Sequence, residues 1–263
     1  MESFMVDLLD TWLEKTEQIE GRKTLWRTTE TVGQRDAISD ELTIRTRGHY
    51  VSDIEIATFL EALDYPEAAE VIRENYPTGA IGRSGDLGEI LCTEVIEEWC
   101  SFEVPIRKLR YKDHREQAMR GEDVIGVRQD DAGNLSLLKA EAKSAQSLAT
   151  QTVVEARLGL DANSGRPTSH AMAYVARRLL DQGGDVEELG KTILRESVRN
   201  AVPKTRITHL FFAMTGSAAL AMIDDDFEQA EPDRDQFVFH LRIPAHAKFV
   251  EDVYNKVNDC ALD

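Results

Sequence analysis

The amino-acid sequence predicts an α/β protein with a helical amino-terminal lobe and a helix-rich carboxy-terminal half. Three observations carry that expectation. Apolar stripes at helical spacing alternate with short apolar runs of strand length. A hairpin signature spans residues 121–145, where two strand-like runs flank the turn Asp130-Asp131-Ala132-Gly133-Asn134. The 263 residues, 42% of them hydrophobic, suffice for a sizeable core, and no internal repeat or low-complexity tract interrupts them.

Residues 1–79 read as the mainly helical lobe. Phe4, Val6, Leu8, Leu9 and Trp12 suggest an amphipathic first helix, and Ile44, Tyr50, Val51, Ile54 and Ile56 lie where helical and extended signals mix. Residues 56–63 and 66–72 resemble two short helices about a turn, closed by Tyr76-Pro77-Thr78-Gly79. A second domain, 80–263, follows. Its first helix, over residues 85–99 with Ser84 or Asp86 as cap, gathers Leu87, Leu91, Cys92, Val95, Ile96 and Trp99 on one face. Glu97 points away from that face, Glu89 lies at one edge, and Glu94 and Glu98 lie toward the other. Glu89, in the first turn after a glycine, either reaches a neighbouring site or answers the positive end of the helix dipole.

A first strand and loop carry Arg107, Lys108, Arg110, Lys112 and Arg115. The hairpin strands follow, one built on Val124, Ile125 and Val127 and the other over 135–145. Beyond them the pattern predicts a helix over 147–160 and a loop to Pro167. A helix capped by Ser169 comes next, then the Gly183-Gly184 break and a helix from Asp185 to Arg199. Residues 207–214 read as a buried strand, and a short helix ends near Ile223 before an acidic loop over 224–235. A strand over 237–243 and a helix over 246–257 close the chain.

The chemistry concentrates at one end of the hairpin. Side chains alternate faces along a strand, so Glu141 and Lys143 share a face with Lys139 while Ala142 lies on the other. Antiparallel pairing across the turn brings Asp123 near Glu141. Two carboxylates and an ammonium at a sheet end suit a hard divalent cation held by oxygen. The lysine is then free to orient a water or steady a developing anion. Charges on a strand are more often a solvated face. This strand is otherwise apolar, through Leu137, Leu138, Ala140 and Ala142, and charges at the end of a buried strand require partners or a metal.

The order helix with a Gly-Glu pair, strand, strand opening on Asp, turn, strand ending in Glu-x-Lys, helix resembles the core of the PD-(D/E)xK nuclease superfamily. It covers roughly residues 82–160. The superfamily's proline is absent, since Glu122 precedes Asp123. More closely, SGDLGEILCTEVIEEW at 84–99, RGEDVIGV at 120–127, LLKAEAKSA at 137–145 and a long helical tail ending in strands resemble the nuclease subunit of Hachiman anti-phage defence systems. The resemblance implies a mixed sheet flanked by helices and metal-dependent hydrolysis of DNA in the cytoplasm. Glu89, Asp123 and Glu141 would hold Mg²⁺ or Mn²⁺, with the Ala142 carbonyl as a further ligand. Asp123, Glu141 and Lys143 would act in catalysis, and Gln151, on the following helix, falls where some members keep a glutamine. It also implies a helicase partner that senses aberrant DNA and restrains or releases this subunit.

Composition bounds the alternatives. No apolar stretch has the length of a membrane span, and the start, MESFMVDLLD, is acidic where a secretory signal is basic. Cys92, Cys100 and Cys260 lack metal-site spacing, and Cys92 and Cys100, on or beside the helix over 85–99, read as packing residues. Walker, HExxH and GxSxG motifs are absent. His170, His209, His240 and His246 are scattered without ligand spacing and read as structural. The net charge of −17 opposes simple DNA binding, because phosphate neutralisation supplies non-specific affinity. Residues 1–80 hold 8 basic against 17 acidic side chains, a net of −9. Basic clusters at Arg107–Arg115 and at Lys191, Arg195, Arg199, Lys204 and Arg206 flank the site in sequence; they either line a DNA groove or balance nearby acids. The balance suits a nuclease delivered by a protein partner. A non-catalytic or RNA-directed subunit, serving mainly as a protein-interaction adaptor, is the rival reading.

Overall fold

A mixed sheet organises the molecule. The computed structural model describes residues 7–117, 121–218 and 220–261. Among them the strands are β1 (Leu13–Glu20), β2 (Lys23–Glu30), β3 (Val124–Gln129), β4 (Leu135–Ala145), β5 (Ile207–Thr215) and β6 (Gln236–Arg242), in spatial order β1-β2-β6-β5-β4-β3. Strands β2, β6, β5 and β4 run parallel, and an antiparallel partner closes each edge, β1 on β2 and β3 on β4. Every residue of β5 is buried, which is why it reads as one apolar run without alternation.

The helices are α1 (Leu8–Trp12), α2 (Arg35–Gly48), α3 (Asp53–Ala62), α4 (Tyr65–Arg73), α5 (Ala80–Glu98), α6 (Thr150–Asp161), α7 (Ser169–Gln182), α8 (Glu187–Arg199), α9 (Leu220–Gln229) and α10 (His246–Asp259). The two-residue period of the strands sorts them between faces. Leu138, Ala140, Leu210, Phe212, Met214 and Phe239 pack with α1, α2, α5 and α10, and Cys92 and Cys100 lie in that same core. Phe211, Ala213 and Val238 pack with α6 and α9. Ile125, Val127, Leu135 and Leu137 pack with the α7–α8 pair. None of the helices among the described residues is long and apolar enough to cross a membrane.

Several local expectations need correction. The amino-terminal region does hold helices α2 to α4, but residues 13–30, read within a helical lobe, form the β1–β2 hairpin. That hairpin joins the sheet through β6, more than two hundred residues away in sequence. β1 is mostly exposed and lacks apolar alternation, so no strand signal marks it. The first-helix residues Phe4 and Val6 lie outside the described residues. Helix α5 begins at Ala80, not near Ser84, and neither Ser84 nor Asp86 caps it. Its entry is held by Glu116, whose carboxylate accepts the Thr78 N–H at 2.6 Å and the Gly79 N–H at 3.3 Å. The strand expected after α5 is reduced to one bridge, Glu103 with Val127. Pro105 has no N–H to donate, and the Val104 N–H goes to Glu97 at 3.0 Å, so no ladder propagates. Thr168, rather than Ser169, caps α7, accepting the Ala171 N–H. The helix expected to end near Ile223 continues as α9 to Gln229, so Asp224, Asp225 and Asp226 are helical.

Candidate active site

The β3–β4 register pairs Val124 with Ala140, which sets Asp123 opposite Glu141 one step beyond the ladder. Asp123 Oδ2 accepts the Ala142 N–H at 2.8 Å, so the β4 backbone orients its carboxylate. Lys143 Nζ lies 3.2 Å from Glu141 Oε2 and 3.7 Å from Asp123 Oδ2. Two carboxylates and an ammonium thus meet at the end of the hairpin, all three half-buried. Burial, and next the charge of Asp123, push the Glu141 pKa up to about 7. Burial opposes the Lys143 charge, but Asp123 and Glu141 outweigh it and raise the lysine pKa.

Glu89 enters differently. With α5 starting at Ala80 it lies in the third turn, beyond the reach of the helix N-terminus that first-turn placement implied. Gly88 packs against Ser144, so α5 covers the face opposite Glu141. Burial and then the charge of Asp123 push the Glu89 pKa up to about 8, and the two carboxylates line the same cavity. The structure therefore brings Asp123, Glu141 and Lys143 together, with Glu89 on the wall of the cavity that Asp123 also lines. Among the described residues no three acidic, histidine or cysteine side chains converge closely enough to share one ion.

Residues that sequence reasoning passed over hold this geometry. Lys139, on the face of Glu141, is buried and donates to the carbonyls of Gly159 at 2.7 Å, Leu160 at 3.2 Å and Ala162 at 3.2 Å. It thereby ties the end of α6 to β4 by satisfying carbonyls that lack helical partners. Gly159 leaves room for the Glu141 carboxylate, since a Cβ there would lie 2.9 Å from Glu141 Oε1. Glu122 occupies the position of the missing proline and is 6% exposed. It accepts the Thr168 N–H at 2.5 Å and the Thr168 hydroxyl at 3.0 Å, fixing the start of α7 beside Asp123. Ser144 Oγ meets His246 Nε2 at 2.9 Å and Ser84 Oγ at 2.8 Å, joining β4 to α10 and α5. The one local hint was the alternation that put Lys139 with Glu141. The partners of Glu122 and Gly159 are too distant in sequence to leave a signal.

Other candidates lie apart. Gln151 is exposed and donates to Glu155 along α6. The first basic cluster is largely occupied internally. Arg107 pairs with Glu97 at 2.7 Å, Arg110 bonds the Gly48 carbonyl at 2.8 Å, and Lys112 pairs with buried Asp86 at 2.6 Å. In the second cluster, Lys191 pairs with Glu187 and Glu188, Lys204 with Asp233, and Arg206 with Asp130. His209, His240 and His246 are buried in the core. His170 is exposed instead and borders a cavity of about 360 Å³ beside Asp123 and Glu89.

Comparison with known proteins gives this geometry a lineage. The family model described as HamA matches residues 7–257. A curated relative, the Hachiman protein HamA of Bacillus cereus, is 24% identical over 204 residues, covering 78% of this chain and 71% of the relative. The family match takes in the hairpin, α5, α6 and every residue named at the site, and on that extent the chain belongs to the HamA family.

Proposed function

We propose that the chain is a metal-dependent deoxyribonuclease on a PD-(D/E)xK core, the effector of a cytoplasmic Hachiman anti-phage defence complex controlled by a helicase-like subunit. One observation carries the reading: Asp123, Glu141 and Lys143 converge where the hairpin ends, with the ammonium within 3.7 Å of both carboxylates. Membership of the HamA family supports the defence role. The donors are all oxygen, which fits Mg²⁺ or Mn²⁺ and not a thiolate-seeking metal. Asp123 and Glu141 would hold the ion, and Glu89, on α5 and not converged with them in this structure, would join only on a side-chain rearrangement. Bound there, such an ion lowers the pKa of water and screens phosphate charge.

The chain's own groups supply the rest. Lys143 is kept charged by its two carboxylates, so it can donate to the attacking water or to a phosphate oxygen as charge develops. The Ala142 N–H holds one Asp123 oxygen in place, which orients the carboxylate toward the ion it would bind. Lys139 and Gly159 seat Glu141 against α6.

The adaptor reading draws on the net charge of −17 and on the basic side chains already paired within the fold. Plasmid cleavage by the purified chain, with Mg²⁺ or EDTA and with or without the helicase-like subunit, separates the two. Mg²⁺-dependent cutting that Lys143→Ala abolishes supports the nuclease. Absence of cutting in every combination, by a folded chain, leaves the adaptor.

A further inference from the structure

The cavity beside Asp123 lies between α5, the segment after it, β3 and α7, and its volume is about 360 Å³. Small-molecule sites occupy roughly 300–1,000 Å³. Its lining is poorly explained by a metal ion alone. Ile106, Ile125 and Val175 give it apolar walls, and Tyr174 adds an aromatic ring from α7. The Tyr174 hydroxyl is shielded from solvent; Arg178, its guanidinium carbon 5.3 Å from the ring centre, is its polar neighbour, and no hydrogen bond of standard geometry satisfies the hydroxyl among the described residues. Apolar walls, an aromatic ring and a buried hydroxyl whose polar neighbour is Arg178 suit a flat ring with polar edges.

We propose that this cavity receives the nucleobase adjoining the phosphate served by Asp123 and Glu141, a base at a strand end or taken out of the stack. The proposal rests on the nuclease reading and adds a substrate class to it: DNA with unpaired bases. A base leaving the stack loses aromatic and apolar contacts that this cavity restores, and its polar edge gives the Tyr174 hydroxyl a partner. A base held within an intact duplex cannot enter. Duplex DNA is then cut only where it is frayed, mismatched or opened, and a strand-separating partner supplies that form.

The test needs no cleavage. The full-length chain is titrated by calorimetry, in Mg²⁺, with each of the four deoxynucleoside 5′-monophosphates and with 2-deoxyribose 5-phosphate, which carries the same phosphate but no base. At least one nucleotide should bind about tenfold or more tightly than the sugar phosphate, the scale of base stacking on an aromatic side chain. Val175→Trp, which fills the cavity without altering a carboxylate, should erase that difference. Tyr174→Phe, which keeps the packing, should weaken nucleotide binding about threefold. Equal affinity for nucleotide and sugar phosphate, no measurable binding, or base binding unchanged in both variants overturns the proposal. Base binding with no cleavage of single-stranded DNA, nor of plasmid in the presence of the helicase-like subunit, would remove the nuclease reading and keep the cavity as a nucleotide site; cleavage without base preference would do the reverse.

Discussion

His209 shows what burial does to a single titratable group here. It lies on β5 with no exposed surface, its Nε2 2.8 Å from the Gly165 carbonyl. Burial holds its pKa down to about 3, and burial likewise holds His240 to about 4. Both are neutral in the folded chain at pH 5, whereas the unfolded chain protonates them below about 6.5. The unfolded state then binds more protons, so stability falls as pH drops below 6.5, toward 4 for His240 and toward 3 for His209, by about 1.4 kcal/mol per pH unit for each. Denaturant unfolding between pH 7 and 4 should show this loss, and His209→Gln should make it shallower; equal slopes for the two proteins refute the assignment. At the site, Lys143→Ala and Glu141→Gln should each slow cleavage by roughly a hundredfold or more, the scale of losing a charge-stabilising group. Their circular dichroism should stay that of the parent, and rapid cleavage by either folded variant would remove its catalytic role.

Helix α6 is the element that shapes the site. Lys139 pins its end to β4, and Gly159 lets the Glu141 carboxylate lie against it. A methyl group at 159 meets only the far end of a flexible side chain, so the helix can stay while the carboxylate turns away. Gly159→Ala should therefore leave thermal stability unchanged or raise it by about 0.5 kcal/mol. Cleavage should fall on the order of a hundredfold through misplacement of Glu141. Gly88→Ala makes the contrast, because its Cβ would lie 2.9 Å from Ser144 Cβ on the neighbouring strand. That contact cannot swing aside, so this variant should lose about 1–3 kcal/mol of stability. Calorimetric melting of both, with plasmid cleavage, checks the pair. A destabilised Gly159→Ala that still cuts normally would contradict the seating role.

Across the whole molecule, charge and exposure point to one face. The late acidic segment is largely occupied within the fold: Asp224 meets Arg27, Asp226 pairs with Arg157 at 2.7 Å, and Asp235 pairs with Arg22 at 2.9 Å. The α3–α4 pair differs. Helix α3 has no buried residue, and Ile54 is 79% exposed. Glu61, Glu67 and Glu70 are exposed beside it. An acidic face with uncovered apolar groups complements a basic protein surface and repels DNA. Reversing the three charges, Glu61→Lys with Glu67→Lys and Glu70→Lys, should weaken association with the helicase-like subunit about tenfold or more at low salt, with cleavage by the free chain unchanged. Co-purification across a salt series measures it, and undiminished association would move the interface elsewhere.

What the sequence by itself determined is what short-range periodicity encodes. The Asp130–Asn134 turn and the alternation along residues 135–145 sufficed to pair Asp123 with Glu141 and to put Lys143 beside them, because hairpin register follows from turn and pleat. The apolar stripe of α5 and the solid apolar run of β5 were legible for the same reason. The tertiary structure alone decided where long-range partners act. Glu116, not Ser84 or Asp86, holds the entry to α5, and so Glu89 stands in a third turn instead of a first. β6 recruits the polar hairpin of residues 13–30 into the sheet. Glu97 and Asp86 take up Arg107 and Lys112, which composition alone leaves open to DNA. Each of these outcomes depends on groups far apart in the chain, and local spacing carries no record of which distant group will satisfy a given charge, N–H or sheet edge.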